Sequence, residues 1–303
     1  MTKEAFELRL AEKVKEAERI LEEYLPGEEG FQKTVLQAMN YSVRAGGKRL
    51  RPILLLETNA MLGGEARLAE PFAAALELIH TYSLVHDDLP AMDNDSYRRG
   101  RETTWKVYGE AMGILAGDGL LNYAFEVTQA AFDRCMEEEE LRRCVRALGI
   151  LAKNAGWQGM LGGQVVDVEA EKLERALTEE EILFVHAHKT SALICSALCI
   201  GGALAGASEE VLGRLDRIGR NVGLAFQIRD DMLDVIGDTQ ELGKQVGSDA
   251  ANHKQTYVTL HGLEASGREV ERLSREATEL LASLPGSHDF IEALILSLID
   301  RRK

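Results

Sequence analysis

Apolar residues return at three- and four-residue steps along almost the whole chain, and alternation of period two never holds beyond a few positions. Three-four spacing gathers apolar side chains on one face of an α-helix. Phe6, Leu10, Val14, Ala17, Leu21 and Leu25 make the first such stripe, and Pro26-Gly27 ends it. Phe31 to Val43 repeats the pattern up to Gly46-Gly47. Further helices are predicted over Pro52 to Met61, about Leu68 to Val85, Val107 to Cys135, onward from the acidic run Glu137 to Glu140, and through Gly162-Gly163-Gln164 into Val168. Thr190 to Ala207, Gly219 to Ile236 and Gly262 to Lys303 complete the set. The pattern predicts an all-α fold.

Composition narrows this picture. Five prolines and no low-complexity linker in 303 residues predict a single domain over 1–303. A net charge of -15 argues against a nucleic-acid partner, which would require a concentrated basic face. Met1 to Leu25 mixes charged and apolar residues without an uninterrupted apolar core, unlike a secretory signal. Cys135, Cys144, Cys195 and Cys199 show neither a CxxC pair nor zinc spacing and read as reduced core residues, so a cytoplasmic location is expected. Thr190 to Ala207 is uncharged for eighteen residues, but it is rich in small residues and lacks aromatic or basic flanks. A buried, closely packed helix is expected there rather than a membrane span.

Candidate chemistry concentrates in two places. His86-Asp87-Asp88-Leu89-Pro90-Ala91-Met92-Asp93-Asn94-Asp95-Ser96-Tyr97-Arg98-Arg99-Gly100 follows a helical run and sets carboxylates before two arginines. Adjacent aspartates stay ionised in a partly buried site only when cations or strong donors compensate them. Mg2+ is commonly held by one or two carboxylates together with substrate phosphates, and arginine forks suit those phosphates. Asp230-Asp231-Met232-Leu233-Asp234 is a second acidic cluster, with Asp230 and Asp234 one turn apart and Gln227 a turn below. A single acidic pair also reads as a solvated face; two in apolar helical settings point to metal. Gly46-Gly47-Lys48-Arg49-Leu50-Arg51-Pro52 opens a helix with basic residues beside its N-terminus, an anion site or a merely solvated basic start.

These stretches, with Arg98-Arg99-Gly100, Gly162-Gly163-Gln164, Lys189-Thr190 and Gly243-Lys244 in the same order, resemble the short-chain trans-isoprenyl diphosphate synthases of the bacterial farnesyl diphosphate synthase type. The resemblance runs from about Gly46 to Tyr257 and implies a single helical bundle around a central apolar cavity, the isoprenoid synthase architecture. It implies more than one Mg2+, held by Asp87, Asp88, Asp93, Asp230, Asp231 and Asp234. Gly47, Lys48, Arg51, His80 and Arg99 would hold isopentenyl diphosphate. Arg98, Lys189, Thr190, Gln227, Lys244 and Lys254 would hold the allylic diphosphate, with Arg98, Lys189 and Lys244 stabilising its departure. Gln164 and Asp167 would stand behind the metal's waters. A homodimer is also implied.

Tyr82 lies five residues before Asp87, roughly 7.5 Å along the helix axis. In the resembling enzymes a bulky aromatic here stops the growing chain at fifteen carbons, so Tyr82 with Ser83 predicts farnesyl diphosphate as product, ahead of geranyl or geranylgeranyl diphosphate. A terpene cyclase would not need Lys48, Arg51 and Arg99, and a non-catalytic synthase subunit commonly lacks one aspartate motif. The chain departs from the family where Gly100-Arg101-Glu102-Thr103 replaces Gly-x-Pro-Thr, and a looser or re-angled loop is expected. Asp238 to His253 reads as a loop over the site, and no role is assigned to Arg301-Arg302-Lys303.

Overall fold

A computed structural model of the chain describes residues 1–173, 175–236 and 255–299. Lys244, Lys254, the Asp238 to His253 segment and Arg301-Arg302-Lys303 lie outside the described residues. Four helices come first: α1 (Lys3–Tyr24), α2 (Lys33–Val43), α3 (Leu50–Met61) and α4 (Ala66–Asp87). A two-stranded antiparallel hairpin follows, β1 (Tyr97–Arg98) against β2 (Arg101–Glu102). Next come α5 (Thr104–Tyr108), α6 (Glu110–Asp133), α7 (Glu138–Ala155), α8 (Met160–Lys172) and α9 (Glu179–Val185). A π-helical turn over His186–Thr190 leads directly into α10 (Ser191–Leu204). The described chain ends with α11 (Glu209–Ile236), α12 (Tyr257–His261), α13 (Leu263–Ala282) and α14 (Asp289–Ile299). The all-α expectation holds.

The layout follows from one helix without a polar face. All fourteen residues of α10 are buried, so it must be surrounded; α3, α4, α7 and α11 pack against it. Each fully buried Leu or Ile there contributes about 1.5–3 kcal/mol. The helical run Glu179–Leu204 contains an 18-residue window that meets the length and composition of a membrane span, with mean hydropathy 1.4, but 67% of that window is buried inside the fold. A second axis is α4, which packs on α6 and α3 and delivers its C-terminal residues to the site. Gly117 makes that packing possible, because a Cβ there would collide with the His86 ring.

Three expectations are corrected. The helix predicted from Val107 breaks at Gly109, whose φ of 87° separates α5 from α6. The C-terminal helical run is interrupted between Ala282 and Asp289. The Gly100 loop is not loose: Arg99 (φ 53°) and Gly100 (φ 75°) form the tight turn of the hairpin. The hairpin's flanks are tied by Tyr41 donating to the Glu102 carbonyl at 2.8 Å and by Thr103 and Trp105, both donating to the Asp95 carbonyl at 2.8 Å. The four cysteines are free thiols, although the Cys135 and Cys144 sulfurs come within 3.7 Å.

Candidate active site

The last two turns of α4 open onto a cavity of about 430 Å3. Its polar lining includes Arg51 of α3, His80, His86 and Asp87 of α4, Gln164 of α8, and Lys189 and Thr190 of the π turn. Leu84, Leu89, Met92, Ile114, Met160 and Leu161 supply apolar wall, together with Tyr82. Tyr82 is 8% exposed and meets the His86 ring edge-on at 5.9 Å, and His86 lies 3.1 Å from the Ile114 carbonyl through its Nε2. Ser83, which also lines this cavity, donates to the His80 carbonyl at 2.9 Å.

Helix α4 stops at Asp87, and Pro90 prevents its continuation. The chain folds back, Asp93 N–H donating to the Asp87 carbonyl at 2.9 Å, which brings the third aspartate of the first cluster beside the first. Gln164 donates to the Asp87 carboxylate at 2.7 Å. Asp88 turns the other way, is buried, and accepts from Arg98 Nε at 2.6 Å. Burial pushes Asp87 up to about 6, with Lys189 opposing it, and burial raises Asp88 and Asp93 as well.

The second cluster sits on α11. Asp231 is buried, accepts from the Tyr257 backbone N–H at 3.1 Å, and lies 3.8 Å from His186 Nε2. Asp230 and Asp234 are half-buried on the same helix. Asp231 and Gln227 line a smaller cavity of about 150 Å3 that shares Lys189 and Thr190 with the first. Thr190 donates to Gln227 at 3.0 Å, and Lys189 pairs with Asp167 at 2.7 Å. Two residues of the π turn therefore stand between the two acidic clusters. The turn fits closely under α8 because a Cβ on Gly163 would overlap the Lys189 backbone nitrogen.

The basic group gathers around α3. Arg51 and His80 open on the larger cavity, Lys48 is exposed, and Arg99 donates to the Gly46 carbonyl. The Arg99 guanidinium lies where a side chain on Gly47 (φ 137°) would stand, with Nη1 2.6 Å from the ideal Cβ. Burial first, and then the charges of Arg51 and Arg99, hold His80 well below its ordinary value, so it is neutral at pH 7. Arg98 and Arg99 line a third, narrow pocket together with Asp88.

The donor set suits a hard divalent cation, since all six candidate aspartates offer oxygen. No three His, Cys, Asp or Glu side chains form a ready metal cage among the described residues; Asp87 lines the larger cavity and Asp231 the smaller, with Lys189 lining both. Sequence reasoning missed Arg49 and Glu77, a buried pair at 2.9 Å. Glu77 precedes His80 by one helical turn, which was the signal available. It also missed His86, whose only mark was its place beside Asp87.

Comparisons with known proteins give the family. Residues 32–283 match the polyprenyl synthetase family. Farnesyl diphosphate synthase of Micrococcus luteus is 43% identical over 288 residues, covering 94% of each chain. The solved geranylgeranyl pyrophosphate synthetase of Pyrococcus horikoshii superposes with a TM-score of 0.85 at 32% identity, over 98% of this chain and 99% of that one. Geranyltransferase of Helicobacter pylori, solved with magnesium and isoprenyl diphosphate, gives 0.79 at 32% identity over 96% and 95%. The chain belongs to the polyprenyl synthetase family. It is a prenyltransferase with the all-α isoprenoid synthase fold.

Proposed function

We propose that this chain condenses isopentenyl diphosphate with dimethylallyl and then geranyl diphosphate, in a Mg2+-dependent reaction, to give farnesyl diphosphate. The observation that carries the reading is the composition of one cavity wall: Arg51, His80, Asp87, Gln164 and Lys189 beside Leu84, Leu89, Met92, Ile114, Met160 and Leu161. That lining suits a molecule with an anionic head and a hydrocarbon tail.

Asp87, Asp88, Asp93, Asp230, Asp231 and Asp234 would hold Mg2+, which supplies neutralisation of the charge that develops on the departing diphosphate. The magnesium in the Helicobacter pylori relative supports this choice of ion. Arg98, Lys189 and Lys244 add positive charge at the same leaving group, and Thr190, Gln227 and Lys254 position it. Gln164 and Asp167 orient the residues in contact with ion or substrate. Gly47, Lys48, Arg51, His80 and Arg99 hold isopentenyl diphosphate so that its double bond faces the allylic carbon. The neutral His80 ring gives a hydrogen bond without adding a charge. As the allylic C–O bond breaks, the double bond of isopentenyl diphosphate supplies the electron pair for the new C–C bond. A proton then leaves the adjacent carbon, and the released diphosphate accepts it. The apolar walls keep water from the cation.

Product length is the finer part of the reading. Tyr82, buried in the wall and braced by His86, supports a floor at fifteen carbons. The likeness to a geranylgeranyl synthetase supports twenty as the second reading. Purified chain incubated with Mg2+, isopentenyl diphosphate and dimethylallyl diphosphate, then treated with phosphatase, separates them. Mainly C15 alcohol is expected; mainly C20 would overturn the Tyr82 floor, and no prenyl alcohol would overturn the reaction.

A further inference from the structure

The Glu77 carboxylate is 2% exposed, and its Oε1 accepts from Arg49 Nη1 at 2.9 Å. Arg49 is 5% exposed, and its Nη2 donates to the Val43 carbonyl at 2.6 Å. A buried ion pair is weak evidence of stability, because desolvation offsets much of the attraction. In this one Arg49 Nε and Glu77 Oε2 are buried with no hydrogen-bond partner among the described residues, although Arg49 Nε lies 3.9 Å from Glu18 Oε1. An arrangement so costly calls for another purpose.

Its location supplies one. Arg49 has left-handed backbone, φ 48°, at the N-cap position just before α3. That conformation turns the chain between Lys48 and Arg51. On α4, Glu77 precedes His80 by three positions, and Thr81 donates to the Glu77 carbonyl at 2.8 Å. Arg99 is latched to the same turn through the Gly46 carbonyl. The negative charge of Glu77 also reaches Arg51 and Arg99, opposing the effect of burial on both.

We propose that Glu77 is the positioning residue of the isopentenyl diphosphate subsite, fixing through Arg49 the turn that carries Lys48 and Arg51 against the α4 face that carries His80. The proposal rests on the binding roles given to those three residues above. It is separable from a simple charge effect, because the two have opposite signs. Removing a negative charge beside cations strengthens their pull on an anion, whereas releasing the turn weakens binding.

The test is Glu77→Gln in the full chain, with KM measured separately for isopentenyl and geranyl diphosphate in the presence of Mg2+. KM for isopentenyl diphosphate is expected to rise at least tenfold while KM for geranyl diphosphate stays within twofold. Glu77→Asp, which keeps the charge, should recover part of the loss. An unchanged or lower KM for isopentenyl diphosphate, or equal rises for both substrates, would overturn the proposal. If Glu77→Gln does not fold, Arg49→Lys keeps the charge but loses a hydrogen bond of the fork, and the same split is expected. Calorimetric binding of isopentenyl diphosphate to the wild-type and variant chains reads the subsite without turnover. Binding by a wild type that makes no product would sink the reaction alone, and a variant that then binds as tightly as wild type would sink the Glu77 role.

Discussion

Gln164 donates its side-chain amide to the Asp87 carboxylate at 2.7 Å, joining the end of α4 to α8 across 77 positions of the chain. The bond holds one oxygen of a carboxylate that lines the cavity. Groups that orient a ligating carboxylate typically matter by about 10–100-fold in metal affinity or activity. Gln164→Ala is therefore expected to lower kcat by about 10–100-fold and to raise the Mg2+ concentration needed for half-maximal rate. Gln164→Glu should be worse, since it sets a second negative charge against Asp87. Steady-state rates at several Mg2+ concentrations check this, and a Gln164→Ala enzyme with wild-type Mg2+ dependence would refute it.

The pH response follows from the same carboxylate. Burial raises Asp87 from its ordinary 3.8 to about 6 in the folded chain. Between those values the folded state keeps a proton that the unfolded state releases. Metal-free stability should consequently rise as pH falls through 6, until the unfolded carboxyl is protonated as well. Above 6 the cost of ionising this group is present in full. A divalent cation competes with the proton, so Mg2+ binding should weaken as pH drops from 7 to 5. Denaturant midpoints without metal and Mg2+ titrations at both pH values measure the two trends, which should run in opposite directions.

Two glycines should respond to alanine with opposite signs. A Cβ on Gly163 overlaps the Lys189 backbone nitrogen, and backbone cannot swing aside. Gly163→Ala should cost about 1–3 kcal/mol and displace Lys189 from Asp167, with loss of activity. Gly149 in α7 has nothing within 4 Å of its would-be Cβ, and Gly149→Ala should stabilise by about 0.5–1 kcal/mol. Chemical denaturation of both variants, with activity measured in parallel, decides the matter.

Tyr82→Ala should lengthen the product. The ring is removed from a cavity wall whose neighbours on α4 and α6 stay in place, so space opens beside the hydrocarbon tail. C20 and longer alcohols are expected after phosphatase treatment, at the expense of C15. An unaltered product distribution would mean that another residue of the wall limits growth.

The long helices were legible where they carry a stripe, and α10 was legible because it lacks charge, whereas the short α9 and α12 were not predicted. The break at Gly109 was hidden, since the apolar pattern continues across it and a positive φ leaves no mark in the spacing. The π turn escaped for a similar reason: one widened turn between α9 and α10 barely disturbs an apolar run. Within the site, residue types were readable and pairings were not. Asp88 with Arg98 depends on a folded turn, and Lys189 with Asp167 depends on two helices meeting over Gly163. Arg49 looked like one more base in a basic stretch, although its side chain points inward to Glu77.

The burial of α10 has a consequence for the life of the chain before it folds. Fourteen residues that are buried in the finished molecule are, on emergence from the ribosome, an apolar segment whose packing surface is incomplete. Of the four helices that pack around it, α3, α4 and α7 precede it in the chain while α11 follows. Its sheath can close only after α11 has been synthesised. A nascent chain halted short of α11 would leave the face of α10 that packs on α11 uncovered.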